Sequence, residues 1–319
     1  MAPARSAWLN RVAEGLWRQT SFRMVPDLVL AEAPSGLPTP PPAGAPRVVF
    51  TGFPSDYSLG ILLALLTAPV DVVGLVTSPG AHPVVAGDNA LSQVADHLSV
   101  PLLRLGRINS PTAIDRLRSL EADLFLVASF NQILHRPALG LGQLGWLNVH
   151  PSLLPAYRGP EPVYWALVNG DQETGITFQR IAREIDLGPA LWQGRAPIRP
   201  DDTNGTLSRR LTALAAAAVP EVIERARQGD PGIPLDPSTG SYYTSVGHRR
   251  LEEAGSAAVA ERWVRAGNPN MPAAAGVGDD LRLILEARVT AREDPDGAVP
   301  RLHFPDGDLA LLRSEPAPG

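Results

Sequence analysis

Two side chains at the end of one apolar run are spaced to act together. Gly145-Trp146-Leu147-Asn148-Val149-His150 reads as a short strand, and residues two apart along a strand share a face. Asn148 and His150 therefore present an amide donor and a titratable imidazole on one side of a strand end. The next stretch, Pro151-Ser152-Leu153-Leu154-Pro155-Ala156-Tyr157-Arg158-Gly159, is too rigid and irregular to begin an ordinary helix. A polar pair at a strand end can be plain turn chemistry, but a third residue changes the reading. Asp186 lies in Glu184-Ile185-Asp186-Leu187-Gly188, a turn between two expected strands, from which a carboxylate can reach back over the sheet end. An amide, an imidazole and a carboxylate suit attack on a carbonyl. The amide stabilises the oxyanion, the imidazole handles a proton or the developing charge, and the carboxylate supports the imidazole or accepts a proton.

These residues need a scaffold, and the chain from Arg47 onward supplies one. Val48–Phe50, Val70–Thr77, Asp123–Ala128 and Trp146–His150 read as strands. Between them, Leu59–Leu66, the face Leu91, Val94, Ala95 and Leu98, and a stretch opened by Ser110-Pro111 and reaching Leu120 read as helices. Apolar strands alternating with helices predict an α/β fold, Rossmann-like, with a mainly parallel twisted sheet. Ligands of such sheets bind beyond the carboxyl ends of the strands, where His150 falls.

A helix Glu161–Asn169 stopped by Gly170 follows, then a half-exposed strand Gly175–Ala182 and another over Ala190–Ile198. Thr203 is expected to cap a long helix reaching Gly229, kinked or restarted at Pro220. Strand-like segments at Leu281–Thr290, Val299–Phe304 and Leu309–Leu312 indicate a small β-rich C-terminal module. The segmentation is an N-terminal extension and Pro-rich linker over 1–46, a catalytic domain over 47–229, a linker over 230–245 and the β-rich domain over 246–319. In the extension, Trp8, Leu9, Val12, Leu16 and Trp17 have helical spacing beside Arg5, Arg11 and Arg18, which fits packing on its own domain better than a membrane surface. Met24 offers a second candidate start.

Composition removes several chemistries. The 319 residues contain no cysteine, which excludes disulfides, thiolate metal sites and a cysteine nucleophile. All 28 basic residues are arginine, so a Schiff-base lysine and a P-loop are excluded too. No apolar run is long enough to span a bilayer and no secretory h-region is present, so a cytoplasmic location without membrane association is expected. Gly140, Gly142 and Gly145 spell a formal GxGxxG, but they lead into a strand rather than out of one into a helix, so the dinucleotide reading is rejected. His82, His97, His135, His248 and His303 lack metal-ligand spacing, and no metal is expected.

The order and spacing of several blocks resemble the folate-dependent formyltransferases. The blocks are Phe50-Thr51-Gly52, Ser129-Phe130-Asn131-Gln132-Ile133-Leu134, the Asn148/His150 strand, Ser152 to Gly159, Asn169 to Gly175 and the Asp186 turn. The resemblance covers roughly residues 47–229. It implies a formyl transfer from 10-formyltetrahydrofolate to a primary amine, with Asn148, His150 and Asp186 catalytic. It also implies that the pterin lies between the Ile133-Leu134 backbone and the segment ending at Asp186. Ser152, Leu153, Leu154, Pro155, Ile181 and Ile185 are the further donor-site candidates, and Tyr157, Arg158 and Tyr242 are candidates for the acceptor. The chain departs from the family at Asp186-Leu187-Gly188-Pro189, where Asp-Thr-Gly-Asp is usual.

The tail faintly resembles the C-terminal β-barrel of methionyl-tRNA formyltransferases, and a tRNA-binding module should present basic surface. Residues 240–319 instead hold nine arginines against twelve acidic residues, within a net charge of −5 for the chain. The family's basic loop after the second strand is replaced by Thr77-Ser78-Pro79-Gly80-Ala81-His82-Pro83-Val84-Val85-Ala86-Gly87. Both observations favour a small amine acceptor, such as an amino sugar nucleotide or a hydroxylated diamine. Methionyl-tRNA is the alternative. A hydrolase using water as acceptor would share the three residues but usually carries an N-terminal regulatory domain. A catalytically silent folate-binding module is disfavoured by the intact triad. The oligomeric state is left open.

Overall fold

The central strand β1 (Arg47–Gly52) is buried on both faces from Val48 onward, so it must lie inside a sheet covered on each side. The computed structural model describes residues 41–79, 90–245, 247–276, 280–290 and 299–317. The amphipathic N-terminal segment and part of the loop after Thr77 lie outside the described residues. Two compact units are present. The described part of the first ends its opening segment at Arg158 and adds Gly175–Gly194 and Arg209–Ser241. The second combines Gly159–Thr174, Arg195–Ser208 and Tyr242–Gly319.

The large sheet has seven strands in the order β3-β2-β1-β4-β5-β6-β7. Its strands are β1, β2 (Asp71–Thr77), β3 (Leu102–Arg104), β4 (Leu124–Ala128), β5 (Gly145–His150), β6 (Glu173–Arg180) and β7 (Ala190–Pro197). β1 pairs in parallel with β2 and β4, and β4 with β5, while β6 runs antiparallel to β5. The strand order therefore reverses between β1 and β4, and the segments leaving these strands at Gly52 and Ser129 open the crevice where such sheets bind ligands. Helices α1 (Asp56–Thr67), α2 (Ala90–Leu98), α3 (Pro111–Arg118) and α4 (Arg136–Leu139) occupy the connections. Ser55 and Ser110 cap α1 and α3 through their hydroxyls, and Pro111 takes the first helical position as expected. Val49, Leu103, Ile114, Leu117, Phe125 and Trp146 form one buried cluster, with Phe125 and Trp146 stacked at 4.1 Å.

Long helix α6 (Asn204–Arg227) runs through Pro220 without a break, with Thr203 accepting from the Thr206 N–H at its start. Sequence also predicted β6 to be half-exposed. It is buried from Thr174 through Gln179, so the sheet is covered on both faces here as well.

In the second unit, α5 (Pro162–Asn169) ends in a left-handed Gly170, as the sequence indicated. Glu161 precedes it in a left-handed conformation with φ 59°, and burial holds its carboxyl above the ordinary value. A four-stranded sheet in the order β10-β11-β9-β8 is formed by β8 (Ala273–Ala275), β9 (Arg282–Thr290), β10 (Arg301–Phe304) and β11 (Gly307–Pro316). Helix α7 (Ala257–Gly267) packs on it through Ala257, Ala260, Trp263 and Val264. The sequence pattern of the tail predicts strands alone. Half of the buried stripe of α7 is alanine, which weakens the helical period for a reading based on large apolar residues.

Candidate active site

At the carboxyl end of β5, Asn148 is in register with Val127 of β4 and Gln179 of β6, and His150 with Thr177. The alternation of the strand puts both polar side chains on one face. Tyr57 from α1 donates its hydroxyl to the Val149 carbonyl at 3.1 Å, and burial pushes the Tyr57 hydroxyl upward.

His150 is only 5% exposed. Its Nε2 lies 2.9 Å from the Tyr157 carbonyl oxygen. A carbonyl can only accept, so this contact assigns the ring proton to Nε2. Nδ1 then faces Asp186 Oδ2 at 3.7 Å, beyond a direct hydrogen bond. Asn148 donates from Nδ2 to Asp186 Oδ1 at 3.4 Å. Asp186 sits in the turn between β6 and β7 with a left-handed backbone, φ 52°. The three residues singled out in the sequence thus converge on one strand end. A fourth residue was missed: Gln179 donates from Nε2 to Asp186 Oδ1 at 2.8 Å. It occupies the buried register position opposite Asn148, which only the pairing of β5 with β6 reveals.

The proline-rich loop after His150 is held from within. Buried Ser152 donates its hydroxyl to the Ala156 carbonyl at 2.6 Å. Thr177 donates to the Ser152 carbonyl at 2.7 Å and accepts from the Leu154 N–H at 3.0 Å. Gln193 donates to the Leu154 carbonyl at 2.7 Å. Leu154 is buried, while Leu153 and Pro155 are half-buried. Tyr157 has φ 58° and its N–H donates to the Ser241 hydroxyl at 2.8 Å. The Arg158 N–H donates to the Ser241 carbonyl, and its guanidinium Nε is buried without a partner among the described residues. Tyr242 belongs to the second unit, where its side chain is half exposed and lies against Gly159.

Two arms carry the donor-site candidates. The Asn131-Gln132 pair is anchored by Ser78, whose hydroxyl donates to Asn131 Oδ1 at 2.9 Å and accepts from Gln132 Nε2 at 2.6 Å. Asn109 donates to the Ile133 carbonyl at 2.7 Å. Leu134 is buried in the core beside it, whereas Ile133 is 55% exposed. On the other arm, Ile181 packs on that same core and Ile185 is 42% exposed. Gly188 closes this arm. Gly188 is not in the left-handed region. Space is the constraint: a Cβ there would stand 1.6 Å from the Arg180 carbonyl oxygen. Among the described residues, no cluster of histidine and carboxylates is placed to hold a metal, and no helix is long and apolar enough to cross a membrane.

Comparison with known proteins converges on one family. The model of the family described as Formyl transferase matches residues 61–223. A methionyl-tRNA formyltransferase of Roseiflexus castenholzii is 38% identical over 189 residues, covering 57% of this chain and 59% of that protein. The chain thus spans less than two thirds of the length of that relative. A methionyl-tRNA formyltransferase of Chloroflexus aggregans is 35% identical over 234 residues, 70% of this chain and 74% of the relative. Among solved structures, HypX from Aquifex aeolicus in complex with tetrahydrofolic acid shares the fold. Its TM-score is 0.60 at 17% identity, over 85% of this chain and 44% of HypX.

Proposed function

The chain belongs to the formyl transferase family, and from that premise we propose that it transfers a formyl group from 10-formyltetrahydrofolate to a primary amine. The observation that carries this reading is the convergence of Asn148, His150 and Asp186 at the carboxyl end of β5. The Asn148 amide supplies an N–H for a carbonyl oxygen gaining charge. His150, oriented by the Tyr157 carbonyl, keeps Nδ1 for proton exchange across the gap to Asp186. Asp186 is the base that accepts the amine's proton.

The residues present suit the donor. Ile133 and Ile185 expose apolar surface for a flat pterin, and the neighbouring backbone segments are fixed by Asn109, Gln132 and β6 rather than by long side chains. When bound, the donor supplies an activated formyl carbon. Ser152, Leu153, Leu154 and Pro155 contribute a shaped loop whose own polar groups are already bonded.

For the acceptor, the relatives favour methionyl-tRNA over the small amine expected from charge. The similarity to a methionyl-tRNA formyltransferase, 35% identical, extends over 70% of the chain, whereas the charge argument counted totals. Several of the counted acids are committed inside the second unit. Asp306 caps α7 by accepting from the Ala257 N–H, Asp308 is buried beside His303, and Glu252 accepts from the Gly276 N–H. Arg282, Arg288 and Arg313 are exposed on the strands β9 and β11. The second reading, a small amine, keeps support from residues 77–87, which contain no arginine where the tRNA enzymes carry a basic loop. In this reading the buried Nε of Arg158, beside Tyr157, would meet an anionic acceptor group.

A formyl-transfer assay with 10-formyltetrahydrofolate and either methionyl-tRNA or an amino sugar nucleotide separates the two. With tRNA the rate at subsaturating acceptor should fall by about 0.9 log units per log unit of salt for each duplex phosphate neutralised. Transfer to the sugar nucleotide alone, with little dependence on salt, would reverse the preference.

A further inference from the structure

Gln179 occupies a position on β6 where an apolar residue would be the natural choice. It is 2% exposed, and its neighbours Ile176, Thr177 and Phe178 are wholly buried. Its Oε1 is buried with no hydrogen-bond partner among the described residues. A desolvated acceptor left unpaired costs free energy that a methionine or leucine of similar size would not. Packing therefore does not account for a glutamine here. Its other amide atom does: Nε2 donates to Asp186 Oδ1 at 2.8 Å, shorter than the contacts of Asp186 to Asn148 at 3.4 Å and to His150 at 3.7 Å.

We propose that Gln179 is a positioning residue that aims the Asp186 carboxylate at His150. The inference rests on the reading of the site as a formyl-transfer centre. Asp186 leaves β6 through a turn in which its own backbone is left-handed. Backbone of that kind is held by its surroundings rather than by intrinsic preference. Gln179 fixes one carboxylate oxygen, which sends the other toward His150 Nδ1. It also sits across the strand pair from Asn148, so one side chain spaces the amide and carboxylate members of the site. No atom of Gln179 need touch the reacting groups for this role.

The test compares Gln179→Met and Gln179→His with the wild-type chain in steady-state formyl transfer to methionyl-tRNA and to an amino sugar nucleotide, alongside thermal unfolding. Methionine keeps length and removes the donor. It should lower kcat about tenfold, leave both KM values within about twofold, and leave Tm equal or higher because the unpaired Oε1 is gone. Histidine places a ring N–H where the amide nitrogen was and should recover most of kcat. Combined with Asp186→Ala, the methionine change should cause no further loss, since its effect acts through that carboxylate. Gln179→Met with wild-type kcat, or with a lowered Tm and raised KM, or a Gln179→His that recovers no kcat, would overturn the positioning role alone. A folded wild-type chain that transfers formyl to neither acceptor would overturn the underlying reading and this role with it.

Discussion

The two ends of the large sheet are built on opposite terms. At the amino ends of β1, β4 and β5, polar groups are tightly paired. Asp123 accepts from the Arg47 N–H at 2.8 Å and from Gln143 at 2.6 Å, while the Arg47 guanidinium donates to the carbonyls of Glu121 and Leu120. At the carboxyl ends, Asn148, His150 and Asp186 meet at 3.4 and 3.7 Å, Gln179 Oε1 is buried with no hydrogen-bond partner among the described residues, and Ser129, Tyr157 and Asp186 all have left-handed backbones. The same strands carry both arrangements. One end pairs its polar groups closely; the other gathers longer contacts around the candidate site, a pattern common where a fold carries function.

The largest effect that would sharpen this contrast is at Asn148. Asn148→Ala should lower kcat by about 10²–10³, the range for losing one donor to a developing oxyanion, with little change in Tm. A comparable fall in Tm would mean that the carboxyl end is structural after all. The mirror experiment is Asp123→Ala. Losing its two accepted bonds should cost about 1–3 kcal/mol of stability, measured by denaturant unfolding, while kcat stays near wild type.

Gly188→Val should have a smaller and more selective effect. The Cβ collision with the Arg180 carbonyl must displace the turn carrying Ile185 and Asp186, and donor affinity should fall roughly tenfold, a cost of about 1.4 kcal/mol. Unchanged donor binding by titration calorimetry would detach this turn from the donor site. The smallest effect lies away from both ends, at Glu161. Burial raises its folded-state pKa above the ordinary 4.5. Its contribution to stability is therefore present below that ordinary value and is lost as pH rises through the raised one. Glu161→Gln should raise Tm by roughly 1–3 °C at neutral pH, and the gain should vanish in acid. A constant gain across pH would assign it to something other than ionisation.

The contrast between the two ends also marks what the sequence could disclose. The strands β1, β2, β4 and β5 announce themselves because both faces are buried and their apolar runs are continuous. Asn148, His150 and Asp186 stand out because polar residues interrupt such runs at their ends. β3, three residues long, offers no period to read. Gln179 was invisible for a different reason: its significance depends on the register of β5 against β6, which no local pattern encodes. Gly188 was noticed, but its constraint is a carbonyl oxygen eight residues earlier in the chain, not its own backbone angle.

The central claim is that His150 and Asp186 act as one unit in formyl transfer, and a double-mutant cycle on kcat measures that directly. His150→Ala and Asp186→Ala are each expected to remove about three orders of magnitude, and the double variant should be little slower than either single one. Multiplying losses, or a His150→Ala enzyme that turns over near the wild-type rate, would contradict it.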